Sequence, residues 1–278
     1  MALLETNSDV HILGKEGTTA LMVTSFVVGH VEVVKVLLQM NAYIDFQAED
    51  GATALSTACL FGQLEVVRVL LDKQALVDIQ GPYGMTSLMC ASREGYLDIA
   101  QLLLERNAFV DNQDQSGNTG LILACQAGKN DVVNLLLSKG ANVEIKCTQG
   151  YTALMWASDR GHRDIVQTLL NHNACIDIQD NEGWTALIWA SVYGRIDCLR
   201  LLLDQGADIM IKDDHGRTAQ QIADAYGHEE IVSILAEVNR CFYLSQDDVY
   251  FFLASLNPIY LLFIPLYQCG NRSKDVTP

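Results

Sequence analysis

Short apolar stripes recur along most of the chain and predict pairs of short helices. From Gly150 onward, Leu154 and Ala157 are three residues apart, the spacing that places two side chains on one helix face. Gly161 then predicts a helix end, because glycine takes the left-handed conformation without a Cβ penalty. A second stripe at i, i+1, i+4 and i+5 follows, formed by Ile165, Val166, Leu169 and Leu170. Neither predicted helix exceeds about ten residues, so each must bury its stripe against neighbouring helices.

The same pattern returns with a period of 33 residues. A Gly-x-Thr step opens each unit, and its glycine stands at Gly17, Gly51, Gly84, Gly117, Gly150, Gly183 and Gly216. Consecutive steps are 34 residues apart once and 33 residues apart five times. Such a repeat predicts an open stack in which each helix pair contacts only its neighbours.

These motifs resemble the ankyrin repeat family, whose unit is also 33 residues long. The chain has Thr152-Ala-Leu-Met where the family has Thr-Pro-Leu-His, and Gly161-His162 and Gly140-Ala141-Asn142-Val143 match two further family motifs. The resemblance covers about residues 4 to 237. It implies an all-α solenoid of helix-turn-helix units with hairpin-like loops and about seven repeats. It also implies a scaffold or adaptor that binds proteins.

The repeat pattern divides the chain into three parts. Residues 14–238 form the predicted repeat domain of seven units, and polar Gln220 and Gln221 predict that the last unit closes the stack. Residues 1–13 resemble the tail of an earlier repeat whose helices are missing, so we expect a longer natural protein or a truncated gene model. Residues 239–278 form a tail that contains a long apolar segment.

Within this tail, residues 249–268 carry no charged side chain and are long enough to cross a bilayer of about 30 Å. Pro258 and Pro265 argue against a continuous helix there. Three interpretations stay open: a membrane span, an apolar segment folded against the last repeat, and translated non-coding sequence. The first predicts a membrane-associated protein tethered by residues 249–268, as the alternative to a cytoplasmic scaffold.

Charge and cysteine content narrow the classes of partner and compartment. The chain has 34 acidic and 18 basic residues, a formal net charge of −16. This charge argues against nucleic acid, since binding to phosphates depends on Lys and Arg, and it favours a protein partner with a basic surface. Eight cysteines occur without a C-x-x-C motif or a secretory signal, which favours free thiols in the cytoplasm.

No motif for catalysis, metal binding or a cofactor stands out. Gly128-Lys129 lacks the upstream glycine and the hydroxyl residue of a phosphate-binding loop, and His228-Glu229-Glu230 lacks the second histidine of a zinc helix. There is also no Gly-x-Ser-x-Gly motif for a serine nucleophile. We therefore expect a binding protein that is not an enzyme and uses no metal or cofactor.

The resemblance implies that partners contact the hairpin tips and the first helix of each unit, which line one concave face. Carried over by position, the candidate binding residues are Tyr83, Met85, Tyr151, Asp159, Arg160, Glu182, Trp184, Tyr193 and Tyr226. Most of the aromatic residues cluster in repeats five to seven, and Trp, Tyr and Arg dominate binding hot spots. The alternative is that the tip aromatics only pack on neighbouring tips. Trp156 and Trp189, on the first helices, are predicted as core.

Overall fold

The computed structural model describes residues 10–27 and 30–243, and within them fourteen α-helices follow one another in seven pairs. In chain order the helices are α1 Ala20–Phe26, α2 Val31–Gln39, α3 Ala54–Leu60, α4 Leu64–Asp72, α5 Ser87–Glu94, α6 Leu97–Glu105, α7 Gly120–Gln126, α8 Asn130–Ser138, α9 Ala153–Arg160, α10 Arg163–Asn171, α11 Ala186–Val192, α12 Ile196–Asp204, α13 Ala219–Ala225 and α14 Glu229–Tyr243. Single 3-10 turns lie at Lys15–Gly17 and Pro82–Gly84. The predicted all-α stack of seven repeats is confirmed.

The helices pack in two rows around one continuous core. Each first helix contacts the first helix of the next repeat, each second helix contacts the next second helix, and the two helices of a pair contact each other. Leu154 on α9, Val166 on α10 and Leu187 on α11 are all at most 1% exposed. Because helices of seven to nine residues are too short to be stable alone, this shared burial is what holds them.

A threonine caps the start of each first helix. Thr53 Oγ1 accepts a hydrogen bond from the Ser56 amide at 3.1 Å, and Ser56 Oγ accepts one from the Thr53 amide at 2.9 Å. The same hydroxyl-to-amide bond occurs at Thr19, Thr86, Thr119, Thr152 and Thr185. In the seventh repeat, Gln221 Oε1 accepts from the Thr218 amide at 3.0 Å instead. The Gly-x-Thr step therefore sets where each first helix begins.

Acidic side chains in the loops after the second helices join consecutive repeats. Asp78 Oδ1 accepts a hydrogen bond from the Phe109 amide, 31 residues later, at 3.2 Å. Equivalent bonds link Asp45 to Leu76, Asp111 to Asn142, Glu144 to Cys175 and Asp177 to Asp208. Burial raises the pKa of Asp78 and of Asp177 even though these bonds oppose the shift. Some of the acidic residues that give the chain its negative charge therefore hold consecutive repeats together.

Glycine at the end of a first helix brings the next repeat close. Gly161 ends α9 with φ +77°, and a Cβ on it would lie 2.9 Å from Arg195 Cδ. Arg195 Nε in turn donates to the Asp159 carbonyl at 2.8 Å. The predicted helix end at Gly161 is confirmed, and the same residue gives Arg195 room to link repeats five and six.

Of the six cysteines whose side chains the structure describes, five are buried free thiols and Cys175 is an exposed one. Cys59 and Cys125 take first-helix positions that Ser158 occupies in repeat five. Burial raises the pKa of Cys198 to about 11. The five buried thiols therefore act as small apolar groups in the core.

The last helix is longer than the repeat pattern predicts. α14 runs to Tyr243, five residues beyond the predicted boundary at 238. Most of the predicted partial repeat, residues 1–9, lies outside the described residues, as does the tail from 244, including residues 249–268. Among the helices that the structure does describe, none combines the length and apolarity needed to span a bilayer.

Candidate protein-binding surface

Four aromatic side chains from repeats five and six line one cleft on the first-helix side of the stack. Tyr151 comes from the hairpin tip before α9, Trp156 from α9, Trp189 from α11, and Tyr193 directly follows α11. We call this feature, of about 220 Å³, the aromatic cleft. Its lining is completed by Met155, Asp159 and Arg160.

The rings of the aromatic cleft contact one another in edge-to-face and stacked pairs. The Tyr151 ring lies 5.4 Å from Trp156 at 81° and 5.0 Å from Trp189 at 75°, measured between ring centroids and planes. The Tyr193 ring is stacked with Trp189, 6.0 Å away and tilted by only 6°. Such contacts each contribute about 0.5–1.5 kcal/mol beyond the buried area. The walls are therefore held in place before any partner binds.

A buried carboxylate holds the back of the cleft. Asp180 Oδ2 accepts a hydrogen bond from Trp189 Nε1 at 2.9 Å, while Asp180 Oδ1 accepts the amides of Glu182 and Trp184, each at 2.9 Å. The Asp180 amide also donates to the Trp184 carbonyl at 3.0 Å, which closes the hairpin tip. Trp184 packs behind Trp189 with its ring centroid 4.8 Å away. One side chain thus orders both the tip and the indole of Trp189.

The corresponding position in repeat five is occupied by a cysteine. Cys147 lies 33 residues before Asp180, as Trp156 lies 33 residues before Trp189. A thiol is only a weak acceptor, and among the described residues the buried Trp156 Nε1 has no hydrogen-bond partner. The two tryptophans occupy equivalent positions, but only Trp189 is fixed by a carboxylate.

Acidic groups lie around the cleft, together with the cations Arg160 and Arg195 beside Asp159. Arg160 Nε lies 3.1 Å from Asp159 Oδ2, and the Arg160 Cζ atom is 5.6 Å from the Trp156 ring centroid, a cation–π distance. Burial raises the pKa of the Asp159 carboxyl, against the opposing effect of Arg160. Burial, with further contributions from Asp180 and Glu182, raises the pKa of Tyr151 to about 12. The site therefore favours positive charge.

A comparison with protein families identifies the repeat. A family model of ankyrin repeats, written for three copies, matches residues 1–81, 28–114, 76–147, 121–213 and 172–247. The chain belongs to the ankyrin repeat family. Ankyrin repeats are in general protein–protein interaction modules and are typically not enzymes. A comparison with curated proteins finds no match.

Within this ankyrin stack, the aromatic cleft includes four of the nine predicted binding residues. They are Tyr151, Asp159, Arg160 and Tyr193. Asp159 is buried, at 8% exposed, so it acts on the cleft mainly through its charge. Tyr193 is the most accessible of the four rings, at 47% exposed.

The expected exposure of Trp184 is wrong. Its side chain is only 9% exposed, because it turns inward behind Trp189 instead of projecting from the tip. The reverse holds for Trp156 and Trp189, which were expected in the core but are half-buried and line the cleft. The helical spacing could have predicted this position for Trp156. Trp156 follows buried Leu154 by two residues, or about 200° around the helix axis, and so lies on the opposite face of the helix.

The other four predicted residues lie outside the cleft lining. Met85 is buried, with its Sδ atom 3.5 Å from Arg93 Nη1, so it is not an exposed tip residue as expected. Tyr83 beside it is 79% exposed in repeat three. Tyr226 is 55% exposed at the position equivalent to Tyr193 in repeat seven, and Glu182 is exposed at its tip. Among the described residues there is no group of three metal-ligating side chains.

Proposed function

We propose that this ankyrin protein is a scaffold or adaptor that binds a protein partner through its hairpin tips and first helices, with the aromatic cleft as the anchor point. The observation that supports the proposal is the cleft itself: four preordered aromatic rings beside an arginine, partly open to solvent. Trp, Tyr and Arg are the residues that supply most binding energy at interfaces. A rigid aromatic surface also loses little conformational entropy on binding.

Charge favours a partner with a basic surface. Buried Asp159 lines the cleft and exposed Glu182 lies on a hairpin tip of repeat six, within a chain that carries 34 acidic and 18 basic residues. Complementary charge speeds association and disfavours polyanions such as nucleic acids. The proposed partner is thus a protein segment rich in Lys and Arg.

Tyr193→Ser and Tyr226→Ser form a matched pair for testing this proposal. Both tyrosines are exposed and follow the first helix of their repeat, but only Tyr193 lines the aromatic cleft. Tagged full-length chains are cross-linked in cells and their captured proteins are quantified by mass spectrometry. We expect Tyr193→Ser to reduce the specific partner about tenfold or more, as for a hot-spot residue.

Tyr226→Ser should retain that partner at the wild-type level. If both variants lose it equally, or if neither does, the aromatic cleft is not the anchor. Circular dichroism of the purified variants shows whether the helical stack is intact.

A cytoplasmic location is part of the proposal, and tethering through residues 249–268 is its alternative. Carbonate extraction of a tagged full-length chain separates the two. Recovery in the soluble fraction supports the cytoplasmic scaffold, and retention in the membrane pellet supports the tether.

A further inference from the structure

We propose that the aromatic cleft binds the methylated ammonium group of a di- or trimethylated lysine in a basic segment of the partner. The inference rests on the proposed function, because it names the group that the partner would insert between Tyr151, Trp156, Trp189 and Tyr193.

The faces of the aromatic rings provide the attraction. A cation within about 6 Å of a Trp or Tyr ring centroid is drawn to the negative face of the ring, and quaternary ammonium groups are recognised by several such rings together. Tyr151 stands nearly perpendicular to both indoles, at 81° and 75°, so it forms one wall and Trp189, with the parallel ring of Tyr193, forms another. The guanidinium of Arg160, 5.6 Å from Trp156, already occupies a cation–π position on one wall.

Neighbouring carboxylates add a negative field. Asp159 lines the cleft, and Asp180 lies directly behind Trp189, 2.9 Å from its indole nitrogen. In support, burial, with further contributions from Asp180 and Glu182, raises the pKa of Tyr151. A positively charged head group is therefore favoured over a neutral one of the same shape.

Hydrogen-bonding capacity distinguishes a methylated from an unmodified lysine. An unmodified ammonium has three N–H donors, and burying them without acceptors is costly. Two carboxylates near the cleft already have partners: Asp180 accepts three hydrogen bonds, and Asp159 Oδ2 pairs with Arg160 Nε. Methylation removes donors but keeps the charge, so a methylated ammonium suits these walls better.

The size of the cleft also fits one side chain. Its volume of about 220 Å³ is below the roughly 300–1,000 Å³ of sites for drug-sized ligands. We therefore infer a protein side chain as the occupant, with the basic residues that flank it resting on the acidic surface around the cleft.

Five fluorescein-labelled peptides of one Lys- and Arg-rich sequence test the inference against the full-length chain. Four carry a central lysine that is unmodified, monomethylated, dimethylated or trimethylated. The fifth carries the neutral isostere, in which carbon replaces the quaternary nitrogen. By fluorescence anisotropy, we expect the trimethylated peptide to bind about tenfold more tightly than both the unmodified peptide and the isostere.

The variant pair then localises the effect. Tyr193→Ser should remove most of the preference for trimethyl-lysine, and Tyr226→Ser should keep it. Tetramethylammonium chloride should displace the trimethylated peptide from the wild-type chain more effectively than sodium chloride does at equal ionic strength.

Three results would overturn the inference: equal or unmeasurable binding of all methylation states, equal binding of the isostere, or an unchanged preference in Tyr193→Ser. If any of these occurs while Tyr193→Ser still loses its cellular partner, the methyl-lysine inference fails and the proposed function stands. If partner capture itself is independent of Tyr193, the proposed function fails.

Discussion

Replacing Asp180 with alanine tests how the aromatic cleft is kept in shape. The Asp180 side chain is buried, and its carboxylate accepts the amides of Glu182 and Trp184 and the indole N–H of Trp189, all at 2.9 Å. The variant leaves these three donors without their acceptor, so we expect both a less stable repeat six and a mobile Trp189 ring.

Asp114→Ala is the matched control. Asp114 holds the equivalent position in repeat four, and its Oδ1 atom accepts the amides of Ser116 and Asn118 at 2.9 and 2.8 Å. Its Oδ2 atom accepts the Asn118 side-chain amide at 3.2 Å, in place of an indole. A half-buried donor left unpaired costs about 1–3 kcal/mol. Asp180→Ala should therefore lower the free energy of unfolding by about that much more than Asp114→Ala.

Urea unfolding followed by circular dichroism measures the difference between the two variants. With an m-value of about 3 kcal/mol/M, the unfolding midpoint of Asp180→Ala should lie about 0.3–1 M below that of Asp114→Ala. Tryptophan fluorescence of the folded state should change in Asp180→Ala alone. Equal midpoints would refute the assigned role of the indole hydrogen bond.

Two further predictions concern the glycines between repeats and the pH dependence of stability. Gly161→Ala and Gly206→Ala both place a Cβ at positive φ, which costs about 1–2 kcal/mol. Only the Cβ at residue 161 would approach another side chain, because it would lie 2.9 Å from Arg195 Cδ. Gly161→Ala should therefore have the lower melting temperature, and equal thermal melts would contradict the close approach. Burial acts to raise the pKa of Asp213, yet hydrogen bonds from Arg217 outweigh it and hold the pKa below its ordinary value. The stability that Asp213 contributes is thus complete above about pH 4–5 and is lost as the pH falls through the lowered pKa. In urea unfolding, the free energies of wild type and Asp213→Asn should therefore converge at low pH. A difference between them that does not change with pH would contradict this role of Asp213.

Features set by local sequence could be predicted. Gly161 as a helix end and the stripe from Ile165 depend on residues a few positions apart, and the structure bears out both. The period of 33 then requires neighbouring pairs to share a core, which gives the stack.

Side-chain direction at the hairpin tips could not be predicted. Trp184 turns inward because its amide is held by Asp180 and its ring packs on Trp189, contacts that form only once the tip has folded. Trp156, by contrast, could have been placed in the cleft, because it lies about 200° from Leu154 around the helix.

Hydrogen bonds between repeats also could not be predicted from the sequence. Nothing in the local sequence around Asp45, Asp78 and Asp111 indicates a hydrogen-bond partner. The structure shows that Asp78 and its equivalents accept an amide 31 residues later. A bond across that separation becomes visible only when consecutive repeats are stacked.

Amide hydrogen exchange on the full-length chain, alone and with its captured partner bound, tests the central claim most directly. If the aromatic cleft is the anchor, bound partner should slow exchange in α9, in α11 and in the hairpin tips at residues 147–152 and 180–185. Protection confined to the second helices α10 and α12, or to the N-terminal repeats, would contradict the account.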